Sequence, residues 1–213
     1  MKRSWKRQQQ GSSIIELVIV VLMVMILSGM AIMATSNPSQ SSRANAATDA
    51  LVDSLRQARQ LAITKRRNVL VTLSGTNQIQ LAVQTLPNDP PATAIAPVLL
   101  NDGAAGGLQF YLFGALPNTP MAALGFGNNS DIDLEPVNGG AVGSGIMFTT
   151  SGGLVGSGAA APANYYAVGN NDPINATIFI GVPGSTVTAR AVTIVGSTGQ
   201  VRPYYWGGTA WQE

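Results

Sequence analysis

The stretch Gln10-Gly11-Ser12-Ser13-Ile14-Ile15-Glu16 decides how the chain is read, because an unbroken apolar run, residues 17–27, follows it. A carboxylate at the mouth of such a run is costly, since hydrocarbon does not solvate it. A charge kept there needs a partner. Ahead of it, the leader holds Lys2, Arg3, Lys6 and Arg7 and no acid. From Leu17 to Ala34 only Ser28 and Gly29 interrupt the apolar sequence. A helix of that length spans roughly 27 Å, about the hydrocarbon thickness of a bilayer. The next basic residue is Arg43, so the positive-inside rule puts the N-terminus in the cytoplasm and the rest outside.

Two simpler layouts share part of this pattern. A secretory signal peptide has a basic start, an apolar run and a small-x-small cleavage site, for which Gly29-Met30-Ala31 would serve. A plain single-pass anchor needs only the run and its flanks. Neither gives Glu16 a role.

With 213 residues the chain is long enough for one domain and an N-terminal appendage. Charged residues are only 10% of it, and 24 glycines with 12 prolines imply many turns, which favours a β-rich body. The absence of histidine and cysteine excludes thiol nucleophiles, Ser-His triads and zinc sites built on those ligands. The formal charge of +2 belongs to the leader. Four of the 12 basic residues lie there, so the remainder carries eight against ten acids, a net −2. Those acids show no paired pattern beyond one loop, and the chain reads as non-enzymatic, with no cofactor or metal.

Asn37-Pro38 is expected to break or kink the helix, because proline disfavours a helical residue before it. Helical spacing then resumes. Ala44, Ala47, Leu51, Leu55, Ala58 and Ala62 form one apolar stripe reaching about Ile63, and such a helix needs a surface to cover. Lys65-Arg66-Arg67 ends it, with cations suited to the negative end of the helix dipole. Residues 69–74 and 78–84 alternate as strands around a Gly75-Thr76-Asn77 turn, a hairpin expected to pack on the helix. Further strands are expected at 108–113, 145–150, 177–182, 188–195 and 201–206. The glycine-rich stretches 139–140, 143–145 and 152–158 read as turns, since none has the ending of a phosphate loop. Residues 114–145 read as a long surface insertion.

The N-terminal layout resembles the cleavage and methylation region of type IV pilins and of the pseudopilins of type II secretion. In that family a membrane aspartyl peptidase, the prepilin peptidase, cuts after the glycine and N-methylates the new first residue. A glutamate stands at the fifth mature position. The resemblance puts cleavage between Gly11 and Ser12, N-methylation on Ser12 (where the family usually has phenylalanine) and assembly on Glu16. It implies an α+β, pilin-like fold: a long N-terminal helix, half in the membrane and half amphipathic, packed on a β-rich antiparallel C-terminal domain. The expected divisions are a leader peptide at 1–11, a transmembrane and filament-core helix at 12–36, an amphipathic helix at 37–67 and a periplasmic domain at 68–213. Cleavage would place a positive amine on Ser12, four residues before Glu16 and on the same helical face. Between staggered subunits that pair becomes a register device.

The body is similar to the GspH/FimT group in Leu55-Arg-Gln-Ala-Arg-Gln-Leu-Ala-Ile-Thr-Lys-Arg-Arg, in Ile146-Met-Phe-Thr-Thr-Ser-Gly-Gly and in Ala191-Val-Thr-Ile-Val-Gly-Ser-Thr-Gly-Gln-Val-Arg. The resemblance implies a minor pseudopilin, a GspH-like structural subunit of a type II secretion pseudopilus. The alternative is a FimT/FimU-like minor type IV pilin serving pilus assembly, adhesion or DNA uptake. The implied partners are the prepilin peptidase, other pilins or pseudopilins in a filament, and a bacterial inner membrane crossed once, with the body periplasmic.

Some FimT-like proteins bind DNA through a Gly-Arg-x-Arg motif near the C-terminus. The matching positions are Gly199-Gln200-Val201-Arg202, where Gln200 replaces the first arginine and leaves Arg202 as the candidate nucleic-acid contact. Tyr204, Tyr205, Trp206 and Trp211 stand close by in sequence. One arginine is too little charge for a backbone footprint, and a terminal strand of aromatics ordinarily packs its own domain, so nucleic acid is not an expected partner. Asp131, Asp133 and Glu135 would share one face of a strand and, with Asn128 or Asn129, offer oxygens to calcium. A solvated acidic loop is the simpler reading.

Overall fold

Helix α1, Ile14–Lys65, opens the computed structural model, which describes residues 14–84, 91–100, 107–137, 145–157 and 173–213. The leader expected at 1–11 lies outside the described residues, as do the side chains of 27, 29–39 and 91–93. The chain divides into two compact units, Met1–Ser39 and Gln40–Glu213. In the first, the described backbone is helical throughout. The break expected before Pro38 is absent, because helical backbone continues on both sides of it. A proline removes one N–H and crowds one carbonyl, and a helix that resumes after it keeps the rest of its ladder.

In the second unit the stripe on α1 is buried as its spacing predicts, with Ala44, Leu51, Leu55, Ala58 and Ala62 wholly covered and Ala47 nearly so. Ile63, at the expected end of the stripe, is exposed instead. The helix stops in a two-bond cap. The amide of Arg67 donates to Ala62 O (3.2 Å) and that of Arg66 to Ile63 O (3.3 Å), with Arg66 left-handed at φ 52°. This is the Schellman arrangement, with arginine where glycine is usual.

Twelve strands follow among the described residues. They are β1 Val69–Ser74, β2 Gln78–Gln84, β3 Pro91–Ala94, β4 Val98–Leu99, β5 Gln109–Phe110, β6 Ile132–Pro136, β7 Gly145–Phe148, β8 Leu154–Ser157, β9 Ile174–Val182, β10 Ser185–Val195, β11 Gln200–Trp206 and β12 Trp211–Gln212. One 3-10 turn, Pro120–Leu124, precedes β6. The strands form two antiparallel sheets. The first runs β3-β2-β1-β7-β8, with β4 also on β2; the second runs β12-β11-β10-β9-β5, with β6 also on β9. The expected hairpin is β1–β2, with Val71 opposite Leu81 and Gly75 supplying the positive φ of its turn.

The main core joins the α1 stripe to Val69, Val71, Ile79, Leu81, Ile146 and Phe148 of the first sheet and to Ile178, Ile180, Val192 and Ile194 of the second. A second core covers the opposite face of the second sheet: Phe179, Ala191, Tyr204 and Trp211 pack with Phe113, Met121 and Phe126. β9 and most of β10 are therefore buried on both faces. That is why their sequences run apolar or threonine-rich without clean alternation.

The structure corrects several expectations. The strand at 108–113 shrinks to Gln109–Phe110, and 145–150 to Gly145–Phe148. Residues 114–145 are not a bare insertion: they supply Met121 and Phe126 to the second core and contribute β6. Within 152–158 only the first part turns, because Leu154–Ser157 pairs with β7 as β8. The other glycine-rich stretches, 139–140 and 143–145, fall almost wholly outside the described residues.

Candidate assembly site

Ile14, Ile15 and Glu16 open α1, with Glu16 in the first turn, where its carboxylate complements the positive end of the helix dipole. The cleavage and methylation positions, Gly11 and Ser12, lie outside the described residues. Apart from Glu16, the side chains from Ile14 to Ile26 are apolar on every side and all exposed, from 83% at Ile14 to 43% at Val21. A helix apolar all round is a segment that something else must cover. Ser28 does not break this pattern, because its hydroxyl donates to Val24 O at 2.7 Å and is satisfied within the helix. Among the residues with described side chains, no helix is long and apolar enough to cross a membrane; residues 27 and 29–39, which would complete the run, are outside them.

In the second unit α1 is fastened to β10 by Arg190, which the sequence reading did not single out. Only 3% exposed, it donates through Nε to Asn45 Oδ1 (2.8 Å), through Nη2 to Ser41 Oγ (2.9 Å), and through Nη1 to the carbonyls of Val187 and Ala189 (3.0 and 2.8 Å). Its guanidinium lies over the Tyr205 ring, 5.4 Å from the centroid. No carboxylate among the described residues pairs with it, and burial lowers its proton affinity, with Tyr205 acting the opposite way. The signal was present: one arginine inside a strand otherwise of Val, Ile, Ala, Thr and one Ser demands built partners.

Arg202, the candidate nucleic-acid contact, is engaged within the chain. Its Nη2 donates to Gln200 Oε1 (3.3 Å) and its Nη1 lies 3.8 Å from Glu213 Oε2. The neighbouring aromatics do not form a free stacking surface. Tyr204 and Trp211 are buried in the second core, Trp206 meets Trp211 edge-on at 5.5 Å, and the Trp211 indole donates to Pro117 O at 2.7 Å. Registers place Asp133, Thr177, Thr193 and Arg202 side by side across β6, β9, β10 and β11, on the face of the second core. The hydroxyls of Thr177 and Thr193 and the Nε of Arg202 are buried without a hydrogen-bond partner among the described residues.

The acidic trio is not a solvated loop. It lies on and beside β6, and Asp133 is 8% exposed, packed over Gly127 and accepting from the amide of Asn129. Strand pairing to β9 turns this middle acid inward while Asp131 is exposed. Among the described residues no group of three acids is placed to hold a metal.

No protein-family model matches the sequence, and no curated protein matches it. Two crystal forms of the type IV minor pilin FimU of Pseudomonas aeruginosa align with it. One shows 15% identity over 75% of this chain and 90% of FimU, with a TM-score of 0.38; the other shows 14% identity over 79% and 92%, with a TM-score of 0.40.

Proposed function

We propose that this chain is a structural, non-enzymatic subunit of a pilin-like filament, made as a membrane-held precursor and cut between Gly11 and Ser12. The observation that carries the reading is Glu16 in the first turn of a helix whose described side chains from Ile14 to Ile26 are, apart from it, apolar and exposed. In a filament the apolar surface packs against neighbouring helices, and the carboxylate meets the Ser12 amine of a staggered subunit. Before assembly, lipid covers the same surface and the body stands in the periplasm. Prepilin peptidase, the inner membrane and other pilins or pseudopilins are its partners.

Within that class we read the chain as a minor, GspH-like pseudopilin of type II secretion. A FimT/FimU-like minor type IV pilin is the second reading, which the same N-terminal layout allows. The N-terminal mass of the mature protein tests the class. A start at Ser12, with or without one methyl group, is expected; a start at Ile32, after signal-peptide cleavage, would overturn it.

A further inference from the structure

A cavity of about 530 Å³ lies where α1 meets the β10–β11 turn, lined by Arg56, Arg59, Gln60, Thr198, Gly199, Gln200 and Val201. Two guanidiniums border it and, among the described residues, no carboxylate does. The acids nearest on the helix, Asp53 and Asp49, lie one and two turns earlier, and neither is ion-paired with Arg56 or Arg59.

Arg59 is held in place by its inner nitrogen. Nε donates to Gly152 O (3.2 Å) and to Thr198 O (3.1 Å), bridging the β7–β8 and β10–β11 turns. Both turns need glycine to come this close. Gly152 is left-handed at φ 84°, and a Cβ there would press on Ile63 Cδ1 at 2.9 Å; Gly199 is left-handed at φ 64°, and a Cβ there would strike Gly152 O. The two terminal nitrogens of Arg59 have no hydrogen bond or ion pair with any described residue, and neither does Arg56. A guanidinium fixed at Nε with its outer edge free is a preorganised fork for a two-oxygen anion.

We propose that this cavity binds a single carboxylate side chain of a neighbouring protein subunit, with Arg59 as the fork and Arg56 as the second charge. A carboxylate fits better than a nucleic-acid backbone, since two arginines on one turn of helix offer no track for successive phosphates and the chain beyond the leader is net negative. Arg202 takes no part, because it projects to the opposite face of β11 from Val201 and is engaged with Gln200 and Glu213. The identity of the partner as a subunit rests on the filament reading; the carboxylate chemistry does not.

The test uses the full chain in detergent micelles, unassembled, so that failure of assembly at Glu16 cannot affect it. The arginine Nε–H resonances are followed while a blocked tripeptide with a central glutamate is added. Parallel titrations use the glutamine tripeptide, inorganic phosphate and a short thymidine oligonucleotide. The Arg59 resonance is expected to shift saturably with the glutamate peptide and not with its glutamine counterpart, and phosphate is expected to compete at higher concentration. Arg56→Gln, at an exposed position with no internal partner, should weaken binding about tenfold with an unchanged melting temperature. Arg59→Lys keeps the charge and loses the fork, and the shift read at the Arg56 Nε–H should then no longer saturate with the glutamate peptide. No saturable shift, an unchanged affinity in Arg56→Gln, or tighter binding of the oligonucleotide than of the peptide would each overturn the proposal.

Discussion

Arg66 pays a local cost where the helix must stop. A non-glycine residue at φ 52° crowds its Cβ against the backbone, and the cap has no other way to reach the carbonyls of Ala62 and Ile63. Arg66→Gly should therefore stabilise the protein by about 1 kcal/mol, read as a higher urea midpoint with an unchanged m-value. Tyr205 gives stability an alkaline dependence. Burial raises its phenol above the ordinary value of 10.0, Asp49 pushes the same way, and Arg190 and Arg56 oppose. A neutral phenol favoured by the fold contributes stability that is fully present below pH 10 and is lost as pH rises through the raised value. The melting temperature should fall across that window, and Tyr205→Phe should flatten the fall. Glu16 could be picked out from sequence because its cost needs no tertiary information. Arg59 could not, since its acceptors lie 93 and 139 residues away.

Among the elements, the two turns that meet at Arg59 are more tightly constrained than the β1–β2 turn. Gly75 and Gly199 both have positive φ, yet a Cβ at Gly75 meets nothing within 4 Å while one at Gly199 strikes Gly152 O. Gly75→Ala should cost about 1 kcal/mol from the backbone alone, and Gly199→Ala should exceed it by at least roughly another 1 kcal/mol because two turns must move. Paired thermal melts of the two variants read the difference. The long elements were legible: the α1 stripe and β1, β2 and β11 follow from spacing that survives without context. The short edge strands β3, β4 and β12 were not, because two to four residues carry no period and are held by their pairing partners. β6 was missed for a related reason. Its acids advertised a solvated loop, and only pairing to β9 turns Asp133 inward.

For the whole molecule, the decisive variant is Glu16→Leu. It should leave membrane insertion and cleavage intact and sharply reduce incorporation into filaments; normal incorporation would sink the filament role of the carboxylate. An amphipathic helix and a β-rich body could be read from the helix periodicity and the turn-rich composition, and the family resemblance implied the α+β plan with one long helix. The second core could not, because Phe113, Met121 and Phe126 reach the back of the second sheet from a segment without any repeating pattern. That same back face holds Thr177 opposite Thr193, two buried hydroxyls that bond to none of the described residues. Replacing either by valine keeps the shape and removes a polar group that gains nothing, which should add about 1 kcal/mol, or some 2–4 °C in melting temperature. As direct neighbours the two changes should not add fully. The body therefore carries an unused margin of heat tolerance, open to anyone hardening the protein for long experiments without disturbing the helix that would join it to others.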